Sequence, residues 1–441
     1  MKQFLYTLTT ITIIVSTTFA DVEINGANFP DENFRAYLLN PSNIGGRGSD
    51  GLLTTTELAA IKTLGDLGNR NIADLKGIEY FTALESLNCR YNKLTSLDLS
   101  QNTALTELFC DNNQLNELDV SNNTKLTELQ CNSNLLTELD VSKNTVLEIL
   151  ECSRNEITTL DLSHNNKLTN LYCYSNQLNE LDVSANTTLK LLHCHNNQLT
   201  ELDVKNNTEL TSLWCNINKL TEIDVSKNTK LSVLDIENNQ ITELNLSANT
   251  ALYELHCKNN LLTSLDVSSN AALYRLNCEN NQITELNISN NIALARLSCP
   301  GNKLTSLDLS NNTALAFLDV KNNNLTSIDD IIGLENTKID LNYFSIGEQN
   351  TTPINNIANK KATSFAFAGI HNGQINLNLK TGNYTAELYN LQGRLIAKTD
   401  INAINGVNAT GIKIDNISKG IFVLNVKQKG ISVLQHKISV R

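Results

Sequence analysis

Cysteine recurs at Cys89, Cys110, Cys131, Cys152, Cys173, Cys194, Cys215, Cys257, Cys278 and Cys299, with 21 residues between neighbours except for one gap of 42 centred on Ile236. Such a period marks an internal repeat, and a repeat cannot be divided into globular domains by length. With Leu126 as position 1 of one unit, apolar residues fall at positions 1, 4, 6, 11, 14 and 16: Leu126, Leu129, Cys131, Leu136, Leu139 and Val141. Asparagine occupies position 9 in every unit from Asn92 to Asn323, and position 19 from Asn102 to Asn312. Twelve full units run from Leu84 to about Ile328.

The pattern describes stacked coils. A triplet such as Leu129-Gln130-Cys131 reads as a short strand with its two apolar side chains turned inward. The asparagine that follows turns the chain and offers its amide to backbone groups that would otherwise be orphaned at the corner. One coil cannot offset its own backbone entropy, so neighbours supply the stability and the ends need caps.

The wording of each unit, as in Leu126 to Asn144, resembles the bacterial 21-residue class of leucine-rich repeat, with nested periods of ten and eleven. The resemblance implies a β-rich solenoid over residues 84–345 with one strand-lined face used for binding. Ahead of it, residues 21–83 read as a helical cap. Asn28 to Asn40 is expected to be a helix, with Pro30 near its first turn and Phe34, Tyr37 and Leu38 on one face. A second helix starts near Thr54 or Thr55, and Leu64, Leu67, Ile72, Leu75 and Ile78 form an irregular first coil that resembles the caps of internalin-like surface proteins. Gly46 to Glu57 has the outline of a calcium loop, but Gly46 and Gly48 stand where oxygen ligands are needed, so it is read as degenerate.

Residues 1–20 read as a secretory signal, with Lys2, an apolar run from Phe4 to Val15 and Thr18-Phe19-Ala20 before the cleavage point. No later apolar run approaches the length of a transmembrane segment. Export and ten cysteines would ordinarily suggest disulfides. All ten, however, occupy position 6, where Ile236 and Val320 fill the same slot, so the site asks for a medium-sized apolar group and the thiols are expected to be free and buried.

Charge divides the chain. Residues 21–359 hold 22 basic and 43 acidic residues, whereas residues 360–441 hold 11 and 3. An acidic solenoid repels phosphates, which argues against nucleic acid as a partner. After a linker at 346–362, the apolar residues alternate, as in Tyr384, Ala386 and Leu388 or Phe422, Leu424 and Val426, which suggests seven short strands in an immunoglobulin-like β-sandwich over 363–441. Its wording resembles the C-terminal sorting domain of type IX secretion in Bacteroidetes-like bacteria: Leu388-Tyr389-Asn390, Gly393-Arg394, Ile414-Asp415, Lys419-Gly420-Ile421-Phe422-Val423 and Lys437-Ile438. Phe422 departs from that family, which usually places tyrosine after the glycine. The resemblance implies passage across the outer membrane by the type IX machinery, with release or display on the surface.

No motif of catalysis, cofactor binding or phosphate cradling occurs, so the chain does not read as an enzyme and no cofactor is implied. Aspartate fills position 15 in ten units, from Asp98 to Asp329, a row that reads as a solvated face discouraging aggregation. Variation is concentrated at positions 5 and 7. There Tyr172, Tyr174, His193, His195 and Trp214 lie on three successive strands of one face, with Phe109 and His256 at the same register further along. Exposed aromatics beside histidine point to a surface that binds an extracellular protein or a glycan. A rigid spacer or envelope coat without a specific ligand is the other class that this sequence fits.

Overall fold

The computed structural model describes residues 20–340 and 344–350 and, beyond them, residue 394 and the strands between 366 and 440. Residues 1–19 of the expected signal lie outside the described residues. The chain forms two units, Met1–Thr352 and Pro353–Arg441.

In the first unit, helix α1 (Glu32–Leu39) begins later than expected, because Asp31 is its N-cap. The Asp31 carboxylate accepts the N–H groups of Asn33 and Phe34, both at 2.9 Å, which leaves Pro30 outside the helix. Its second oxygen accepts the N–H of Ala73 at 2.8 Å and ties the helix to the first coil. Phe34 and Leu38 are fully buried, and the Phe34 ring meets Phe29 edge-on at 5.6 Å. Helix α2 (Thr55–Ala60) starts from Thr54 through a capping box. That box accounts for Glu57: its carboxylate accepts the Thr54 N–H at 2.9 Å and the Thr54 hydroxyl at 2.9 Å, so the residue at the last calcium-loop position serves the helix.

Thirteen parallel strands follow in sequential order from Thr63–Leu64 to Phe317–Asp319. They correspond to the irregular first coil and the twelve units. Each strand of the twelve units covers positions 3 to 5, as in Glu128–Gln130, one residue earlier than the expected triplet, and the first coil's strand pairs with positions 3 and 4 alone. The inward and outward parity is unchanged, and the ladder continues through position 6, where the Cys131 N–H donates to Glu151 O at 2.8 Å. The six apolar positions are buried in one continuous core, except at position 14 in two coils, where Leu244 is partly buried against that core and Ile328 of the last coil is exposed. The ten cysteines are among them, unbonded.

The position 9 asparagines tie three segments together. Asn197 Nδ2 donates to Cys194 O of its own coil at 3.0 Å and to Cys173 O of the preceding coil at 3.1 Å, while its Oδ1 accepts the Leu178 N–H at 3.0 Å. The position 19 residues build a second ladder, as Asn144 Nδ2 donates to Val120 O and Asn123 O. Between strand and corner, position 8 is left-handed in coil after coil: φ is 54° at Asn196, 55° at Asn238 and 53° at Asn259. Asparagine tolerates that conformation better than most residues.

The solenoid's last coil includes residues expected in the linker. The Asn322 N–H donates to Glu348 O at 2.6 Å, and the Gln349 side chain accepts from the N–H groups of Asn323 and Leu325. In the second unit, Ala366–His371, Gln374–Asn378 and Ala409–Lys413 form one antiparallel sheet. Leu395–Ala403, Gly382–Asn390, Gly420–Gln428 and Ile431–Val440 form another. Alternate residues Tyr384, Ala386 and Leu388 are buried, as are Phe422, Leu424 and Val426. Of the residues expected to alternate in the remaining strands, Phe365, Leu379 and Ile414 lie outside the described residues.

Candidate recognition surface

Parallel strands bring equal positions of successive coils roughly 4.8 Å apart, so outward side chains stack in rows. Register pairs Tyr172 with His193 and His193 with Trp214. The Tyr172 and His193 rings meet edge-on at 5.0 Å, and His193 stacks on Trp214 at 4.5 Å with planes 13° apart. One row further, Tyr174 stacks on His195 at 4.3 Å and 8°. The two rows touch through His195 and Trp214 at 5.9 Å. All five rings therefore form one cluster. Arg154 sits at its edge, 5.9 Å from the Tyr174 ring centre.

Packing leaves Trp214 37% exposed and His193 half-buried. Burial, with a smaller effect of His195, pushes the His193 imidazole down to about 4. Burial and then the Arg154 charge lower His195 as well. Both rings are neutral at physiological pH, and the cluster presents aromatic faces rather than charge. His195 Nδ1 is buried without a hydrogen-bond partner among the described residues.

Phe109 and His256 do not join the cluster. Phe109 lies three strands away, with the Arg90 guanidinium 4.9 Å over its ring. His256 is separated from Trp214 by the strand Val233–Asp235 and faces Glu254 at 3.3 Å and Glu237 at 3.7 Å.

The strand's earlier start makes position 3 outward as well, so a basic and aromatic set near the end of the sheet escaped a reading confined to positions 5 and 7. It comprises Arg275, Arg296 and Phe317, in register on consecutive strands. The signal was in the sequence, since an outward position 5 implies an outward position 3. Beside it Tyr253 and Tyr274, at position 2, stack at 5.0 Å.

The aspartate row lines the other side of each coil, along a groove of about 1140 Å³ with glutamates from position 13. Each aspartate of the row from Asp98 to Asp308 braces its own turn: Asp140 Oδ1 accepts the N–H of Ser142 at 2.8 Å and Asp224 that of Ser226 at 2.9 Å. Hydrogen bonds from the serine backbone and hydroxyl hold both carboxyls below their ordinary range. Asp329 departs from the row, because the last coil turns there into a short 3-10 helix, Ile328–Asp330. Among the described residues no three His, Cys, Asp or Glu side chains converge as metal ligands would, and no helix is long and apolar enough to cross a membrane.

Residues 371–441 match the family model of the secretion system C-terminal sorting domain. Internalin J of Listeria monocytogenes is 41% identical over 75 residues, which is 17% of this chain and 8% of the relative, so the chain spans a small part of that protein's length. Among solved structures, the functional domain of InlJ from Listeria monocytogenes, described as including a cysteine ladder, superposes with a TM-score of 0.67 at 28% identity, over 96% of this chain and 99% of that one. The leucine-rich repeat protein LIC12759 of Leptospira interrogans gives 0.52 at 26% identity, over 61% and 81%. The internalin InlF of Listeria monocytogenes shares the fold at 23% identity, with a TM-score of 0.56 over 77% and 99%. The uniform asparagine and cysteine registers, the thirteen-stranded parallel sheet and these matches agree: the chain is a bacterial leucine-rich repeat protein of internalin-like build that carries a secretion-system C-terminal sorting domain.

Proposed function

We propose that this is an exported recognition protein that holds an extracellular protein or a glycan on the strand face, with Tyr172, Tyr174, His193, His195 and Trp214 as its anchor. The observation that carries the reading is the convergence of five rings on three strands, with Trp214 more than one-third exposed. Large aromatic residues held rigidly by their neighbours lose little entropy on binding and supply most of the energy of an interface. Phe109 and His256 contribute at the margins of the same face. The reading is one of recognition rather than catalysis, because the imidazoles stack on aromatic rings and the thiols are buried in the core.

Export completes the proposal. A signal at residues 1–20 leads the chain to the periplasm, the type IX machinery reads residues 363–441 as an immunoglobulin-like sandwich, and the protein is released or displayed at the surface. Residues 21–83 act as the helical cap that closes the solenoid's first coil.

The test is an array of glycans and extracellular proteins probed with the full-length protein and with Trp214→Ala. Binding that the substitution lowers by about 2 kcal/mol supports the anchor. Binding insensitive to Trp214 and Tyr172, or no selective binding at all, would favour a rigid spacer or coat without a specific ligand.

A further inference from the structure

Beyond the aromatic anchor, the same face carries a pocket of about 200 Å³ lined by His256, Arg275, Asn277, Arg296, Ser298 and Phe317. Arg275 and Arg296 are register partners on adjacent parallel strands. Their backbones are thus roughly 4.8 Å apart, and like charges directly opposite each other repel. Neutralisation is incomplete. Arg275 Nη1 lies 3.7 Å from Glu254, a carboxylate that His256 Nε2 also approaches at 3.3 Å. Arg296 makes no ion pair among the described residues, and its guanidinium lies 4.9 Å over the Phe317 ring. Arg275 Nε is buried with no acceptor among the described residues. A paired cation site in an otherwise acidic solenoid, with an unanswered N–H, lacks one thing: an anion that can accept from two forks.

The remaining lining narrows the anion. Phe317 is 42% exposed and offers an apolar ring beside the arginines. The Ser298 hydroxyl has no side-chain hydrogen bond among the described residues, and Asn277 is held in place by Glu237 at 2.8 Å. Glu237 contacts His256, Glu254 contacts Arg275 and Asp319 is the register partner of Ser298, so acids beside the lining confine a negative group to the arginine side. An extended peptide would gain nothing from the strands, whose backbone groups are already spent in the ladder between coils. A ring with one apolar face, hydroxyls and a single carboxylate suits every wall.

We propose that this pocket binds the carboxylate of an acidic sugar, a uronic or nonulosonic acid residue, with Arg275 and Arg296 as the clamp and Phe317 against the pyranose. The site shares with the aromatic anchor the strand face and the marginal His256, but neither arginine nor Phe317, so the two can fail separately.

The full-length protein is titrated with oligosaccharides ending in glucuronate or N-acetylneuraminate, with their uncharged counterparts, and with a glutamate-rich peptide. Acidic sugars should bind at least about tenfold more tightly than neutral ones, and Arg275→Ala or Arg296→Ala should each weaken them about tenfold. Arg296→Lys, which keeps the charge but not the fork, should fall between. The melting temperature of Arg296→Ala should match wild type because the residue is exposed. Equal binding of neutral sugars, retention in the Arg275/Arg296 double variant, binding of the peptide alone, or no binding of either acid overturns the assignment.

Discussion

His193 lies flat against Trp214, ring centres 4.5 Å apart and planes 13° from parallel, so the most exposed ring of the cluster rests on a histidine whose charged form is disfavoured. Folding lowers the His193 pKa from 6.5 to about 4, chiefly by burial. Between those values the unfolded chain binds more protons than the folded one, so stability is fullest above 6.5 and declines as the pH falls towards about 4.

Thermal unfolding of the full-length protein should therefore show a midpoint that drops through that window, with a smaller drop in His193→Phe. Proton NMR of the imidazole checks the cause. A His193 titrating near its ordinary value would refute the stacked, desolvated geometry.

The corners give a graded test. Asn197→Ala removes two donated bonds and leaves the Leu178 N–H without its acceptor, which should cost about 1 to 3 kcal/mol. Its neighbour Asn196 points outward, and parity alone predicts a silent substitution there. The structure changes that expectation, because Asn196 is left-handed at φ 54° and its amide donates to Ser175 Oγ at 3.0 Å. Asn196→Ala should cost on the order of 1 kcal/mol, and Asn196→Gly less. Denaturant unfolding that ranks Ala at 196 above Ala at 197 in cost would contradict the asparagine ladder.

The repeat is legible in the sequence because each coil obeys the same rule: burial at positions 1, 4, 6, 11, 14 and 16 follows directly from spacing. What escapes such a reading is local. Strand limits depend on hydrogen bonds and are not read from spacing, whereas the outward row at Arg275, Arg296 and Phe317 follows from the parity of position 5 and is missed only by confining the reading to positions 5 and 7. Asp31 reads as a first-turn residue, whereas its carboxylate caps α1 and holds Ala73. The aromatic cluster is legible as register, but its edge is not. Phe109 and His256 share the row with Trp214 and still lie apart from it, since distance along a stack of strands separates residues that equal repeat positions place together.

Secretion tests the second unit. Removing residues 360–441 deletes the matched sorting domain and should strand the solenoid in the periplasm, as fractionation followed by immunoblotting would reveal. Unchanged yield outside the cell would assign those strands another role, such as adhesion.

The thiols test the core. Burial pushes the Cys152, Cys194 and Cys278 thiols up to about 12, so almost no thiolate exists at neutral pH in the folded state. Native protein should resist alkylation, whereas denatured, unreduced protein should take up label at all ten cysteines. Ile236 already shows that position 6 accepts an aliphatic side chain of larger volume. Cys194→Val should therefore fold with a stability change below about 1.5 kcal/mol, while Cys194→Ser, which puts a hydroxyl in the same apolar slot, should cost about 1 to 3 kcal/mol. Mass spectrometry that found most cysteines paired, or a serine variant as stable as the valine one, would show that the ladder is held by sulfur chemistry rather than by packing.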